Sequence, residues 1–292
     1  MFFGFSDSFQ SGSNLKKIQG KEFVVFNKKG RFTKFLNACT HRCAKLFTSC
    51  ESKKAIRCSY HNASYSPDNG KIINYNIFAN RLISDTLFDF AVLENSNGLL
   101  HDSSVVLPSP VSELLNGVQF TSITTLQHSC NYKLLVENVL EIEHVSSIHP
   151  TSFVPLGMRS TSPFEIEKNE WGSVLKVFDN DGNIFYLHYF IYPNLFISVT
   201  NGLIGYVAIV DDIDGENSVL NYRFFNGPGL KINPSISFES YFVHAKQFTD
   251  KVLNEDKVIV ESQHLHLDKK SNMKLFGPHD ERLLHYVNLD NK

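Results

Sequence analysis

Residues 39–61, CTHRCAKLFTSCESKKAIRCSYH, set a cysteine beside a histidine twice: Cys39-x-His41, then Cys58-x-x-His61, with sixteen residues between His41 and Cys58. Two thiolates and two imidazoles on loops that β-hairpins bring together can hold one zinc ion tetrahedrally. They can equally hold a two-iron, two-sulfide cluster with both cysteines on one iron and both histidines on the other. Residue order separates the two. Structural zinc sites tend to draw ligands as Cys–Cys and His–His pairs, whereas each half here supplies one of each. The stretch therefore favours a cluster, whose chemistry is the passage of single electrons.

The surrounding composition is that of an ordinary globular chain. With 292 residues, 42% hydrophobic and 20% charged, it is long enough for one large domain or two ordinary ones. A formal net charge of −2 and the lack of a dense Lys/Arg run argue against nucleic-acid or anionic-membrane partners. The opening MFFGFSDSFQSGSN has no secretory-signal pattern, and no segment is apolar enough to span a bilayer, so a cytoplasmic location is expected. The cysteines (Cys39, Cys43, Cys50, Cys58, Cys130) are five, four of them crowded around the motif, which suits a metal site in a reducing compartment better than a disulfide framework. Cys43, Cys50 and Cys130 read as ordinary buried thiols.

Outward from the motif, EFVVFN, RFTKFLNAC, AIRCSYH, GKIINYN and FAVLEN are short β segments, with NKKG and SPDNG as turns. Pro108 and Pro110 then interrupt the pattern, placing a domain boundary near 105 and giving domains 1–105 and 106–292. KLLVENVLEIEHVSSIHP (133–150) has helical spacing and stops at Pro150. From 164 to 245 the pattern is β again, ISFESYFVH (236–244) included, joined by NDGN, TNG and IDGEN turns; this predicts long antiparallel strands in one sheet. Residues 246–263 return to helical spacing, with Phe248, Val252, Leu253 and Val260 on one side. The fold class expected is α+β.

A second group of donors lies in ENVLEIEHVSSIHP, where His144 and His149 follow Glu137, Asn138, Glu141 and Glu143. Five residues apart on a helix, the histidines are not quite on one face. They are either surface residues of an acidic helix or, where the helix bends or ends near Pro150, two ligands of one ion. His188 lies in an apolar strand and faces either the core or a pocket. His264 and His266 alternate as on one strand face and are assigned no metal. Asp212 and Asp214 belong to a hairpin turn.

The spacing of the first motif closely resembles the Rieske pattern C-x-H-x₁₅₋₁₇-C-x₂-H. Respiratory Rieske proteins carry a further cysteine beside each half; here Tyr60 holds the second such position, so CTHR…CSYH is similar instead to the ring-hydroxylating oxygenases. The chain departs from that family at Cys43, where glycine is usual, and at Asn62-Ala63, where Gly-Trp is usual. ENVLEIEHVSSIH is similar to the E-N-x-x-[DE]-x-x-H-x₄-H signature of the same Rieske non-haem iron oxygenases, and NEDKVIVESQ to their C-terminal ED…E.Q stretch.

The resemblance, which runs over nearly the whole chain, implies an N-terminal all-β Rieske [2Fe-2S] domain and a catalytic domain whose curved antiparallel sheet grips helices in a START-like manner. It implies a cluster on Cys39, His41, Cys58 and His61, and mononuclear Fe(II) on His144, His149 and Asp256, with Glu255 the rival of Asp256. Glu141 would bridge His144 to His61 of a neighbouring subunit in a homotrimer, and Asn138 would lie near the iron. Electrons would come from an NAD(P)H-dependent reductase, with or without a ferredoxin, and dioxygen would hydroxylate or oxidatively demethylate a small, apolar or aromatic organic substrate. The rival readings are a non-catalytic Rieske electron carrier and a zinc-stabilised binding module. The 25 phenylalanines fit an apolar substrate cavity and ordinary core filling alike, so they choose no substrate.

Overall fold

In the computed structural model, described residues are 1–39, 43–46, 56–60, 63–66, 71–74, 90–94, 98–102, 105–229, 238–266 and 280–291. His41, His61 and Cys50 lie outside them. The chain divides into two compact units, Met1–Val106 and Leu107–Lys292.

The first unit is built of β1 (Phe2–Phe5), β2 (Gly12–Ile18), β3 (Lys21–Lys28), β4 (Arg31–Leu36), β5 (Ile56–Arg57), β6 (Ser64–Tyr65), β7 (Ile72–Asn74), β8 (Phe90–Glu94) and β9 (Leu99–Asp102). Antiparallel pairing runs β1–β9–β8–β4–β3–β2, with β5–β6–β7 as a separate small sheet. Two-residue loops set the β2–β3 and β3–β4 hairpins. Gln19-Gly20 and Lys29-Gly30 all have positive φ, the left-handed pair whose twist matches the flanking strands. Phe3, Phe23, Val25, Phe32 and Leu100 form one core of this unit, and Val24, Phe35, Ile56, Ala63 and Tyr65 form another around Cys39 and Cys58.

In the second unit, β10 (Thr124–His128), β11 (Phe164–Asn169), β12 (Gly172–Phe178), β13 (Ile184–Ile191), β14 (Leu195–Thr200), β15 (Ile204–Asp212) and β16 (Ser218–Asn226) are antiparallel in the order β11–β12–β13–β14–β15–β16–β10. Gly172 has φ +146°, and a Cβ there would stand 1.9 Å from the Phe190 carbonyl oxygen, so the close approach of β12 to β13 requires glycine. Helices α1 (Ser109–Leu115), α2 (Tyr132–Leu140), α3 (Val145–Ile148), α4 (Phe238–His266) and α5 (Glu281–Asp290) complete the unit. Side chains of α2, α4 and α5 pack with Phe190, Phe196, Ala208, Val210, Tyr222 and Phe224 of the sheet into one core. The chain is α+β, as its sequence pattern indicates.

Three elements depart from the sequence reading. Residues 133–150 are not one helix: α2 stops at Leu140, Glu141 is extended (φ −88°, ψ 138°), and α3 is a single turn. The Glu141 carboxylate causes the break by accepting the amides of Glu143 and His144, an alternative to continuing the helical ladder. ISFESYFVH is not a strand, since its described part, from Phe238, opens α4. Its aromatic and β-branched residues carry only a weak strand preference, and Phe242 packs on Phe224 at 5.6 Å between ring centroids. His264 and His266 therefore close a helix rather than share a strand face. Among the thiols, Cys130 is buried but Cys43 is exposed, with φ +53° in the loop after Cys39, so Cys43 is not a core thiol.

Candidate metal centres

At the first centre, Cys39 and Cys58 are each 2% exposed, among Val24, Phe35, Leu46, Ile56 and Ala63. Each begins a loop closed by a similar backbone bond, Cys39 N–H to Ala44 C=O and Cys58 N–H to Ala63 C=O, both 2.8 Å. The Tyr65 hydroxyl lies 3.2 Å from Cys39 Sγ, where it can donate to a thiolate. No sequence signal marks Tyr65; only the pairing of β6 with β5 brings it there.

The second centre is assembled by the broken helix. His144 and His149 cap the two ends of α3, which turns both rings toward α4. Along α4 the buried face is Val252, Leu253, Asp256 and Val260, so Asp256 stands as a single acid in an apolar stripe. Asp256 Oδ1 lies 3.1 Å from His149 Nε2 and 3.5 Å from His144 Nε2, and one ligand atom from each residue falls within 4.8 Å of the others. Asn138 Nδ2 donates to the same oxygen at 3.4 Å, while its own Oδ1 is buried without a partner among the described residues.

Each histidine is fixed from behind. His144 Nδ1 lies 2.8 Å from Glu141 Oε2, and His149 Nδ1 lies 2.7 Å from Glu255 Oε2, which also accepts from the Ser152 hydroxyl at 2.7 Å. A carboxylate can only accept, so each Nδ1 carries a proton, which leaves each Nε2, the nitrogen facing Asp256, as the one that could give its lone pair to a metal. Sequence reading paired Glu255 with Asp256 as rivals; the structure gives Glu255 the back of His149 and turns Asp256 to the front.

Electrostatics agree with this geometry. Burial pushes the Glu141 carboxyl up, but bonds from His144 and the amides of Glu143 and His144 outweigh it and hold it below the usual range. Burial likewise opposes ionisation of Glu255, and the Ser152 and His149 bonds overcome it. His149 is pushed down by burial and more strongly up by Asp256 and Glu255. The field that favours a proton on that imidazole favours a cation equally. Two neutral imidazoles and one carboxylate form a donor set suited to Fe(II).

Several sequence candidates lie elsewhere. Asp212 and Asp214 accept backbone amides within the β15–β16 turn. His264 Nε2 lies 3.0 Å from a Glu216 carboxylate oxygen. His188 is buried on β13 beside Arg282, a residue sequence reading passed over although it sits in the buried stripe Arg282, Leu283, Tyr286 and Leu289 of α5.

The Rieske [2Fe-2S] domain family matches residues 3–82. The oxygenase component of chloroacetanilide N-alkylformylase from Rhizorhabdus wittichii (strain DC-6 / KACC 16600) is 22% identical over 157 residues, 50% of this chain. That match spans less than half, 44%, of the relative's own length. Among solved structures, Pseudomonas putida CBB5 NdmA with caffeine superposes with a TM-score of 0.63 at 18% identity, covering 96% of this chain and 84% of that one. Dicamba monooxygenase bound to dicamba gives 0.59 at 13% identity, covering 100% and 97%. The quaternary ammonium Rieske monooxygenase CntA with γ-butyrobetaine gives 0.53 at 17%, covering 93% and 78%. No helix among the described residues is long and apolar enough to cross a membrane. Residues 3–82 thus match a Rieske [2Fe-2S] domain, with the cluster such a domain implies, and the fold of the chain is similar to that of these solved proteins.

Proposed function

We propose that this chain is the oxygenase component of a Rieske system, oxidising a small organic molecule with dioxygen and electrons from an NAD(P)H-dependent reductase. The observation that carries the reading is the convergence of His144 Nε2, His149 Nε2 and Asp256 in a chain that also bears a Rieske domain. Cys39, His41, Cys58 and His61 would hold the cluster, and His144, His149 and Asp256 the Fe(II). Bound there, the cluster supplies single electrons and the iron supplies dioxygen activation.

The protein's own part is to aim and support those donors. Glu141 and Glu255 fix both imidazoles with the lone pairs forward, and Asn138 steadies Asp256. Glu141 is also the residue we assign to the bridge between His144 and His61 of an adjacent subunit in a trimer. The Phe153 ring packs beside His149 and Phe248 packs on Phe153, giving the centre an apolar flank that suits an organic substrate. The relatives are described with molecules as different as caffeine, dicamba and γ-butyrobetaine, so this chain's own pocket residues, not the family, choose its substrate.

Iron and sulfide analysis of anaerobically purified protein, with electron paramagnetic resonance, tests the reading. The expected result is one cluster plus one further iron per chain, and product from a substrate screen with a surrogate reductase. A cluster without the further iron returns the electron-carrier reading, and stoichiometric zinc in a colourless protein defeats both.

A further inference from the structure

Arg282 is 2% exposed, between α5 and the sheet. Its Nε donates to Ser173 Oγ on β12 at 3.1 Å and its Nη2 to His188 Nδ1 on β13 at 2.8 Å. Arginine has nothing with which to accept, so His188 Nδ1 is the acceptor and its proton sits on Nε2. Burial and the Arg282 charge hold His188 well below its usual range, so both partners of the guanidinium are neutral. Burial lowers Arg282 itself only to about 10, which leaves it cationic at neutral pH. Among the described residues no carboxylate pairs with it, and Nη1 is buried with no hydrogen-bond partner. A buried cation is ordinarily paired, because neutral partners do not repay its lost hydration.

Position makes the imbalance informative. Phe153 touches the His149 ring at 5.3 Å and Tyr186 at 6.4 Å, and Tyr186 stacks on His188 at 5.9 Å with only 11° between planes. Burial raises the Tyr186 phenol, Ser198 and Arg282 pull it down, and Asp256 pushes it up, so Tyr186 lies within electrostatic reach of both Arg282 and the metal triad. Tyr186, His188 and Phe190 alternate on β13 and share the face covered by α5.

We propose that Arg282, oriented by Ser173 and His188, anchors the anionic group of a small organic carboxylate at its Nη1. The body of that ligand extends along Tyr186 and Phe153 toward His144, His149 and Asp256. A single buried cation with neutral neighbours is balanced by a monoanion, and a planar carboxylate matches the guanidinium fork where a phosphate dianion would overcompensate it. That this ligand is the substrate rests on the oxygenase reading; that an organic carboxylate binds rests on the Arg282 geometry alone.

Isothermal titration of the protein, iron-loaded and iron-free, with sodium benzoate and with neutral benzamide at fixed ionic strength is the test. Wild-type protein should bind benzoate roughly tenfold or more tightly than benzamide, and Arg282→Met and Arg282→Gln should lose that preference while keeping the cluster spectrum. The wild-type comparison stands even where a variant fails to fold. Equal affinity for the two probes, or benzoate binding unchanged in Arg282→Met, overturns the proposal. So does chloride displacing benzoate competitively at comparable concentration, which would mark a site for an inorganic ion only. Titration reads no turnover, so a protein that binds benzoate and holds the cluster but takes up no further iron sinks the oxygenase reading alone.

Discussion

Replacing Glu255 by glutamine separates the residue that aims a ligand from the residue that is one. Glu255 Oε2 accepts two bonds of 2.7 Å, from His149 Nδ1 and from the Ser152 hydroxyl. A hydrogen bond to a charged acceptor contributes about 1.5–3 kcal/mol, and a neutral amide oxygen keeps roughly half of that. Glu255→Gln should therefore cost about 1 kcal/mol of ligand orientation, weakening Fe(II) binding roughly fivefold to tenfold. Glu255→Ala, which leaves the His149 N–H without its partner, should weaken binding roughly tenfold to a hundredfold. Asp256→Ala removes a donor outright and should abolish iron retention. Anaerobic Fe(II) titration against a competing chelator measures all three. The Glu255 carboxyl is held below its ordinary range, so its contribution is complete above its unfolded value and fades as pH falls through the depressed folded value. The gap between wild type and Glu255→Gln should close accordingly in acid. Complete iron loss in Glu255→Gln with iron retained in Asp256→Ala would refute the reasoning, because Glu255 would then be the ligand.

Other consequences are as direct. His144→Ala should empty the mononuclear centre while the Rieske resonance persists; loss of that resonance would show the two centres to be misassigned. Glu141→Gln should retain both metals but slow cluster oxidation in single turnover, and an unchanged rate would defeat the proposed bridge. Tyr65→Phe removes a donor to Cys39 and should lower the cluster potential by tens of millivolts, on the order of 1 kcal/mol, readable by redox titration. Burial, against Lys133 and with Asp290, pushes the Glu137 carboxyl up to about 7. Below about pH 4.5 both folded and unfolded chains hold that proton, so nothing is lost. As pH rises from there to about 7 the unfolded chain ionises first, and the native state loses up to about 3 kcal/mol. Glu137→Gln should flatten that slope in denaturant melts, and an unaltered slope would mean that Glu137 is ionised when folded.

The sequence was most legible where chemistry is carried by residue type and spacing. Cys39 and Cys58 stand out with their histidines because few other roles require those side chains in that order, whereas His144 and His149 gained weight only through the resemblance of their segment to the same family's signature. Asp256 was indicated only by the resemblance of NEDKVIVESQ to the family's C-terminal stretch, with Glu255 its rival, and the structure shows it within the buried stripe Val252, Leu253 and Val260. What could not be read depends on contacts distant in the chain. The α2 break at Glu141 comes from a side chain capturing amides that a helix would otherwise use, and residues 133–150 have a helical period either way. The strand expected at 236–244 shows the same limit, because Tyr241, Phe242 and Val243 satisfy a strand pattern locally while Phe242 finds its partner, Phe224, across the fold. Arg282 did leave a trace, a charged residue flush with Leu283, Tyr286 and Leu289. Only the structure shows that Ser173 and His188 answer it without a countercharge.

Charge balance connects the two ends of the site. Around the second centre, Glu141, Glu255 and Asp256 place three carboxylates against two imidazoles, and hydrogen bonding holds Glu141 and Glu255 in the ionised form. A proton on one imidazole offsets only part of that charge, and it occupies the lone pair a metal would use. A divalent cation offsets more and leaves both Nδ1–H bonds in place, so the cluster of acids favours metal over proton as pH rises. At the other end, beyond Phe153 and Tyr186, Arg282 supplies a cation with no carboxylate beside it among the described residues. An anionic ligand entering between them is repelled by the acids and drawn by the guanidinium, so its charged group points away from the triad and its uncharged body toward it. Opposite fields at the two ends would then select orientation before any shape complementarity acts, which is the economical way for an aromatic-lined site to present one particular carbon to the metal.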